Sequence, residues 1–87
     1  MKIKKDYKVR TVAGEKIVVP LGEESKVNRG VFKLNKEAAC LFEIFSDKID
    51  KQNGIKALVE NFGADETQAE IDVSNFIQML VDFNMVE

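Results

Sequence analysis

The stretch Gly30 to Phe45, reading GVFKLNKEAACLFEIF, leaves this chain few folds to choose from. Val31-Phe32-Lys33-Leu34 is extended in character, rich in residues that suit a pleated strand. At Asn35 the period changes. Ala38, Leu41, Phe42 and Phe45 then recur at three- and four-residue spacing, which places them on one face of an α-helix. Asn35 is a good N-cap, because its side-chain carbonyl can accept a free backbone N–H of the first turn. One strand therefore runs directly into one helix, with no room for a flexible loop. The chain before this junction reads as β and the chain beyond it as α.

With 87 residues, the chain is expected to form one domain, residues 1–87. A domain of this size buries roughly 60–65% of its unfolded surface. The hydrophobic share of 45% is enough for one core with little surplus. No apolar run approaches the roughly 18 residues of a membrane span, and MKIKKDYK lacks the apolar region of a signal peptide, so no membrane role is expected. The lone Cys40 has no internal disulfide partner, which points to a reducing cytoplasm. Charge is divided along the chain. Through Lys36 there are ten basic and four acidic residues; beyond it there are three basic and eleven acidic.

The first six residues are polar and expected to fray. Tyr7 to Val12 alternates as a half-buried strand, Ala13-Gly14-Glu15 supplies a turn, and Lys16 to Leu21 is a second strand with Ile17, Val19 and Leu21 facing one way. Pro20 lacks an amide donor and belongs at a strand end or edge. Gly22 to Gly30 is a polar connection leading to the third strand. Three strands with short connections imply an antiparallel sheet. The first helix is expected from Lys36 to about Ser46. Asp47 to Gln52 reads as a connection, and Asn53 as the N-cap of a second helix with Ile55, Leu58, Val59 and Phe62 on its apolar stripe. Gly63 fits a left-handed C-terminal cap. Asp65 opens a third helix, with Gln68 three residues on in a near capping-box pattern. It runs to about Phe83, and Met85-Val86 covers the end of the core.

On the third helix, Ala69, Val73, Phe76 and Leu80 centre one face. Ile77, Val81, Met79 and Phe83 widen it to about 200°, more than a surface helix needs. Ile71 lies roughly opposite. Two readings are open: either Val81, Met79 and Phe83 pack against other helices, or Ile71 and Met79, with Asp72 and Asn75 between them, line a groove for another molecule.

No catalytic constellation is legible. Histidine is absent, which removes the commonest general base and metal ligand. There is no glycine-rich phosphate loop and no Cys/His spacing for zinc, so neither metal nor cofactor is expected. Cys40 falls opposite the apolar stripe of its helix and reads as a small filler. The acidic pairs sit at caps, turns and solvated faces. A binding module is the expected class, not an enzyme. Three strands with three helices also suggest a winged helix, in which the last helix would enter the major groove. From Asp65 to the end, however, there are six acidic residues and no basic one, and a duplex would repel that helix. Lys8, Arg10, Lys16 and Lys33 can serve as edge gatekeepers. No nucleic-acid partner is expected.

The valine-rich strand ending in proline (IVVPLG), the junction FKLNKEAACLFEIF and the closing DVSNFIQMLVDFNMVE together resemble the PqqD family over nearly the whole chain. Leu34-Asn35, the apolar spacing of the first helix, and Phe76, Leu80 and Val86 near the end carry the resemblance. Ala38-Ala39 departs from it, standing where many relatives have a Thr-Gly or similar small pair. The family includes the small protein of pyrroloquinoline quinone (PQQ) biosynthesis and is the prototype of recognition domains in pathways of ribosomally made, modified peptides.

The resemblance implies an α+β, winged helix-turn-helix-like fold: a three-stranded antiparallel sheet followed by three α-helices. It also implies a peptide chaperone that binds the leader segment of a precursor peptide and presents it to a radical S-adenosylmethionine (SAM) enzyme. The leader would pair with the third strand by β-augmentation and rest against the third helix. The matching positions are Gly30, Val31, Phe32 and Lys33 on the strand, and Ile71, Asp72, Asn75 and Met79 on the helix. Phe32 and Leu34 are expected to face the core, and Val31 and Lys33 outward. The acidic helix would favour a leader with Lys or Arg near the groove, while Lys33 could meet a leader Glu or Asp. The protein is expected as a monomer or weak dimer. The alternatives are a winged-helix regulator of nucleic acid and an adaptor or dimer that uses the same edge strand.

Overall fold

The structure, a computed structural model, describes residues 1–27 and 32–87. In chain order its elements are β1 (Tyr7–Val12), β2 (Glu15–Pro20), α1 (Glu24–Val27), β3 (Phe32–Leu34), α2 (Lys36–Ile44), α3 (Lys51–Phe62) and α4 (Glu66–Asp82). The expected antiparallel sheet and three following helices are present. The single turn α1 is an addition, inside what reads in sequence as a polar connection.

The hairpin turns tightly. Val12 pairs with Glu15, so only Ala13 and Gly14 lie between the strands. Both have positive φ, 52° and 80°. That is the geometry of a type I′ turn, whose twist matches that of the strands it joins. The sheet order is β1-β2-β3, so β2 is central and β3 is an edge. Register sets Tyr7 opposite Pro20 and Val9 opposite Val18. On the other side of β2, Val18 lies opposite Phe32 and Lys16 opposite Leu34. Tyr7, Val18, Pro20 and Leu34 are buried on this shared face. Ile17, Val19 and Leu21 are each half-exposed instead. Because Ile17-Val18-Val19 is apolar on both faces, alternation within β2 cannot tell them apart; pairing with Tyr7 decides it. Pro20 does end its strand, although that strand is central.

The amino terminus is not frayed. Ile3 is buried and forms a bridge with Val86. The Lys2 N–H donates to the Glu87 carbonyl at 2.9 Å, the Glu87 N–H to Lys2 at 2.8 Å, and the Lys4 N–H to Met85 at 2.8 Å. This contact joins opposite ends of the sequence, so no local pattern announces it. Met85, expected near the end of the core, is fully buried.

Each main helix starts on a side-chain cap. Asn35 Oδ1 accepts the Ala38 N–H at 2.8 Å. For α3 the cap is Asp50, which accepts from the Gln52 and Asn53 N–H groups at 3.1 and 3.3 Å. The helix therefore begins before Asn53, the expected cap, because the Asp50 carboxylate satisfies the first orphan donors one turn earlier. Gly63 closes α3 with φ 64°. Asp65 caps α4 through the Gln68 N–H at 3.3 Å, but the Gln68 side chain reaches forward to Asp72 Oδ1 at 2.9 Å. Only half of a capping box is formed.

The helices enclose a core in which Phe45, Leu41, Leu58, Leu80, Met85, Val18 and Val73 are the largest fully buried side chains. Gly54 sits where α3 crosses this core. A Cβ there would lie 2.8 Å from Phe45 Cζ, 3.1 Å from Val73 Cγ1 and 3.2 Å from Leu41 Cδ2. Only hydrogen fits.

Candidate functional site: the β3 edge and the α4 groove

β3 is anchored by its own side chains. Leu34 is buried and Phe32 half-buried, while Lys33 faces solvent. The Phe32 ring meets Phe83, the residue that caps α4, with centroids 4.8 Å apart and planes inclined by 64°. This edge-to-face contact fixes the C-terminal end of α4 against the strand. Lys33 Nζ lies 2.7 Å from Glu15 Oε1, so its cation is engaged across the outer face of the sheet. One side of β3 pairs with β2, and among the described residues no strand pairs with the other.

Gly30 and Val31, the other two strand residues of the expected site, lie outside the described residues. Of the expected helix residues, Asp72 and Asn75 line a groove together with the half-buried Met79. The groove has a volume of about 560 Å³ and begins at Asn35, where β3 passes into α2. Leu41 and Leu58 form part of its floor with Phe76, and Glu37 stands on its rim. Ile71 is 49% exposed but does not line the groove; it stands one turn before Asn75 on the same side of α4. Val81 and Phe83 also stay exposed, at 43% and 47%. Much of the apolar excess of α4 is therefore uncovered.

Glu37, Ala38, Phe62 and Ala64 also line the groove, and the sequence does not mark them as site residues. Phe62 reads in sequence as part of the α3 stripe, yet it is 38% exposed. Its place after the last buried residue of α3 and next to Gly63 is the one available signal.

Among the acids of α4, one is paired with a cation and two accept from neutral amides, Asp72 from Gln68 among them. Glu70 pairs with Lys51 at 3.7 Å, and Asp82 accepts the Gln78 amide at 2.9 Å. A second depression of about 450 Å³ lies between β1 and α2, lined by Tyr7, Val9, Lys16, Cys40 and Glu43. Cys40 is half-buried there, its Sγ 3.9 Å from Asn61 Nδ2. Among the described residues no three His, Cys, Asp or Glu side chains converge to hold a metal ion. No described helix is long and apolar enough to cross a membrane.

Comparison with known proteins bears on this architecture. Among curated proteins none matches the sequence. Among solved structures, TbiB1 in complex with the TbiA(beta) leader peptide is similar with a TM-score of 0.77 and 16% identity, over 100% of this chain and 95% of that one. At that identity the likeness speaks for the fold, which spans both chains almost entirely. The sequence profile described as coenzyme PQQ synthesis protein D matches residues 16–86, from β2 through the segment that follows α4. This chain belongs to the PqqD family.

Proposed function

We propose that the protein is a non-catalytic carrier that binds the leader segment of a ribosomally made precursor peptide and presents it to a modifying enzyme of the radical SAM type. The observation that carries this reading is the continuity of the β3 edge with the α4 groove. An edge strand offers backbone N–H and C=O groups to an added strand, which any sequence can satisfy. A groove at the end of that edge supplies what backbone pairing lacks, a means of choosing among sequences. In the proposed complex the leader pairs with residues 30–33 and its side chains rest on Asp72, Asn75 and Met79, with Ile71 extending the contact. The leader-bound state of TbiB1 supports a peptide as the occupant. The pathway is that of PQQ or of another modified peptide. The lone Cys40 fits a reducing cytoplasm, and a monomer or weak dimer fits a small domain whose described sheet is open at its edges.

The test is an amide-resolved NMR titration with the leader encoded by a neighbouring precursor gene. Shifts concentrated on Phe32–Leu34 and on α4 from Ile71 to Met79 are the expected result. Shifts spread elsewhere would overturn the binding mode. Sedimentation at several concentrations, with and without the leader, tells edge pairing with a peptide from edge pairing with a second copy.

A further inference from the structure

We infer that the peptide segment seated in the groove carries a lysine or arginine beside an apolar residue, and that Glu37 and Asp72 select that cation. The inference rests on the leader-binding reading and names the chemistry of its occupant. The groove floor is apolar: Leu41, Leu58, Phe76 and Met79. Two carboxylates stand on the rim, Glu37 from the first turn of α2 and Asp72 from α4, and among the described residues no Lys or Arg lines the groove.

Neither carboxylate is neutralised within the described residues. Asp72 accepts a hydrogen bond from the Gln68 amide at 2.9 Å, a neutral donor that leaves its charge in place. The cations nearest in sequence are not disposed to help: Lys33 is engaged by Glu15 on the outer face of the sheet, and Lys36 does not line the groove. On the same helix Glu70 is paired with Lys51, while Asp82 accepts from the Gln78 amide just as Asp72 does from Gln68; neither Glu70 nor Asp82 lines the groove. Charge complementarity therefore singles out two of the chain's many acids.

The chemistry fits a long cationic side chain in particular. Its methylene stem can cover apolar floor while its head group stays at the wet, acidic rim. A carboxylate on the peptide would meet two like charges beside a low-dielectric surface and be rejected, which gives specificity as well as attraction.

A displayed library of random peptides, each about 12 residues long to cover the strand and groove, separates the possibilities. It is selected against the 87-residue protein, against the neutral double variant Glu37→Gln/Asp72→Asn, and against the reversed variant Glu37→Lys/Asp72→Lys. The wild type is expected to enrich Lys or Arg close to an aliphatic or aromatic residue, and the reversed variant to enrich Asp or Glu at the same spacing. A peptide selected on the wild type should bind the neutral variant about tenfold more weakly by fluorescence anisotropy. Where circular dichroism shows the reversed variant unfolded, the nearly isosteric neutral pair decides. The same enrichment in all folded proteins, or acidic enrichment on the wild type, overturns the charge inference and leaves leader binding standing. Enrichment in none of them overturns both.

Discussion

Gly54 shows how a single hydrogen can hold a core together. Glycine in a helix interior costs roughly 1 kcal/mol against alanine, so on propensity alone Gly54→Ala should stabilise α3. The packing argues the other way, since a Cβ would stand 2.8 Å from Phe45 Cζ in a region without slack. Overpacking of this kind costs about 1–3 kcal/mol. Gly54→Ala is therefore expected to lower the urea midpoint despite its better propensity. Ala13 presents the opposite case. Its φ of 52° is held by a residue that avoids the left-handed region. Asn tolerates that region and is favoured before Gly in this turn, so Ala13→Asn should raise stability by roughly 0.5–1 kcal/mol, read from the same denaturation curve.

At the scale of elements, the boundary between α2 and α3 is the sharpest difference between sequence and structure. Asp50 and Asn53 are both good caps on composition, and choosing between them needs the position of Ile49, which is half-buried against the core. Asp50→Ala is expected to cost about 1 kcal/mol, whereas Asn53→Ala, inside the helix, should stay within roughly 0.5 kcal/mol of wild type. Thermal melts of the two variants check this directly. The strand-to-helix junction is legible for the opposite reason. Asn35 has no rival cap nearby, and the change of period is abrupt. The stripe Ala69, Val73, Phe76 and Leu80 is equally clear, and all four are buried. What α4 leaves uncovered can be counted from the sequence, but not which neighbours border it. Phe62 and Glu37 enter the groove only because α3 ends, and α2 begins, beside α4.

For the whole molecule, the contact that matters most joins residues more than eighty positions apart. Ile3 bridges Val86, and the backbone of Lys2 and Lys4 bonds to Glu87 and Met85. Lys4 Nζ and the Tyr7 hydroxyl also converge on Glu24 Oε1, at 3.3 and 2.9 Å. The N-terminal segment thus ties α1 to the end of the chain. Local periodicity contains no trace of this, because one isoleucine among lysines reads as a polar tail. Full burial of such a side chain contributes about 1.5–3 kcal/mol. Ile3→Ala is expected to lower the melting temperature by several degrees, since about 1 kcal/mol shifts a domain of this size by roughly 4–8 °C. A melting curve unchanged by that variant would mean that the terminus contributes nothing to folding.

The three described residues of β3, Phe32–Leu34, bear on how long any cargo could stay. A ladder along these three residues offers only a few backbone hydrogen bonds, each with a net value of about 0.5–1.5 kcal/mol. Micromolar affinity needs about 8 kcal/mol after the loss of rotational and translational freedom. Those three residues by themselves are therefore a weak handle, and much of the residence time falls to the side chains in the groove. A carrier built this way would hand over its peptide most readily once those side chains are drawn elsewhere, because the groove contacts hold more of the binding energy than Phe32–Leu34 do.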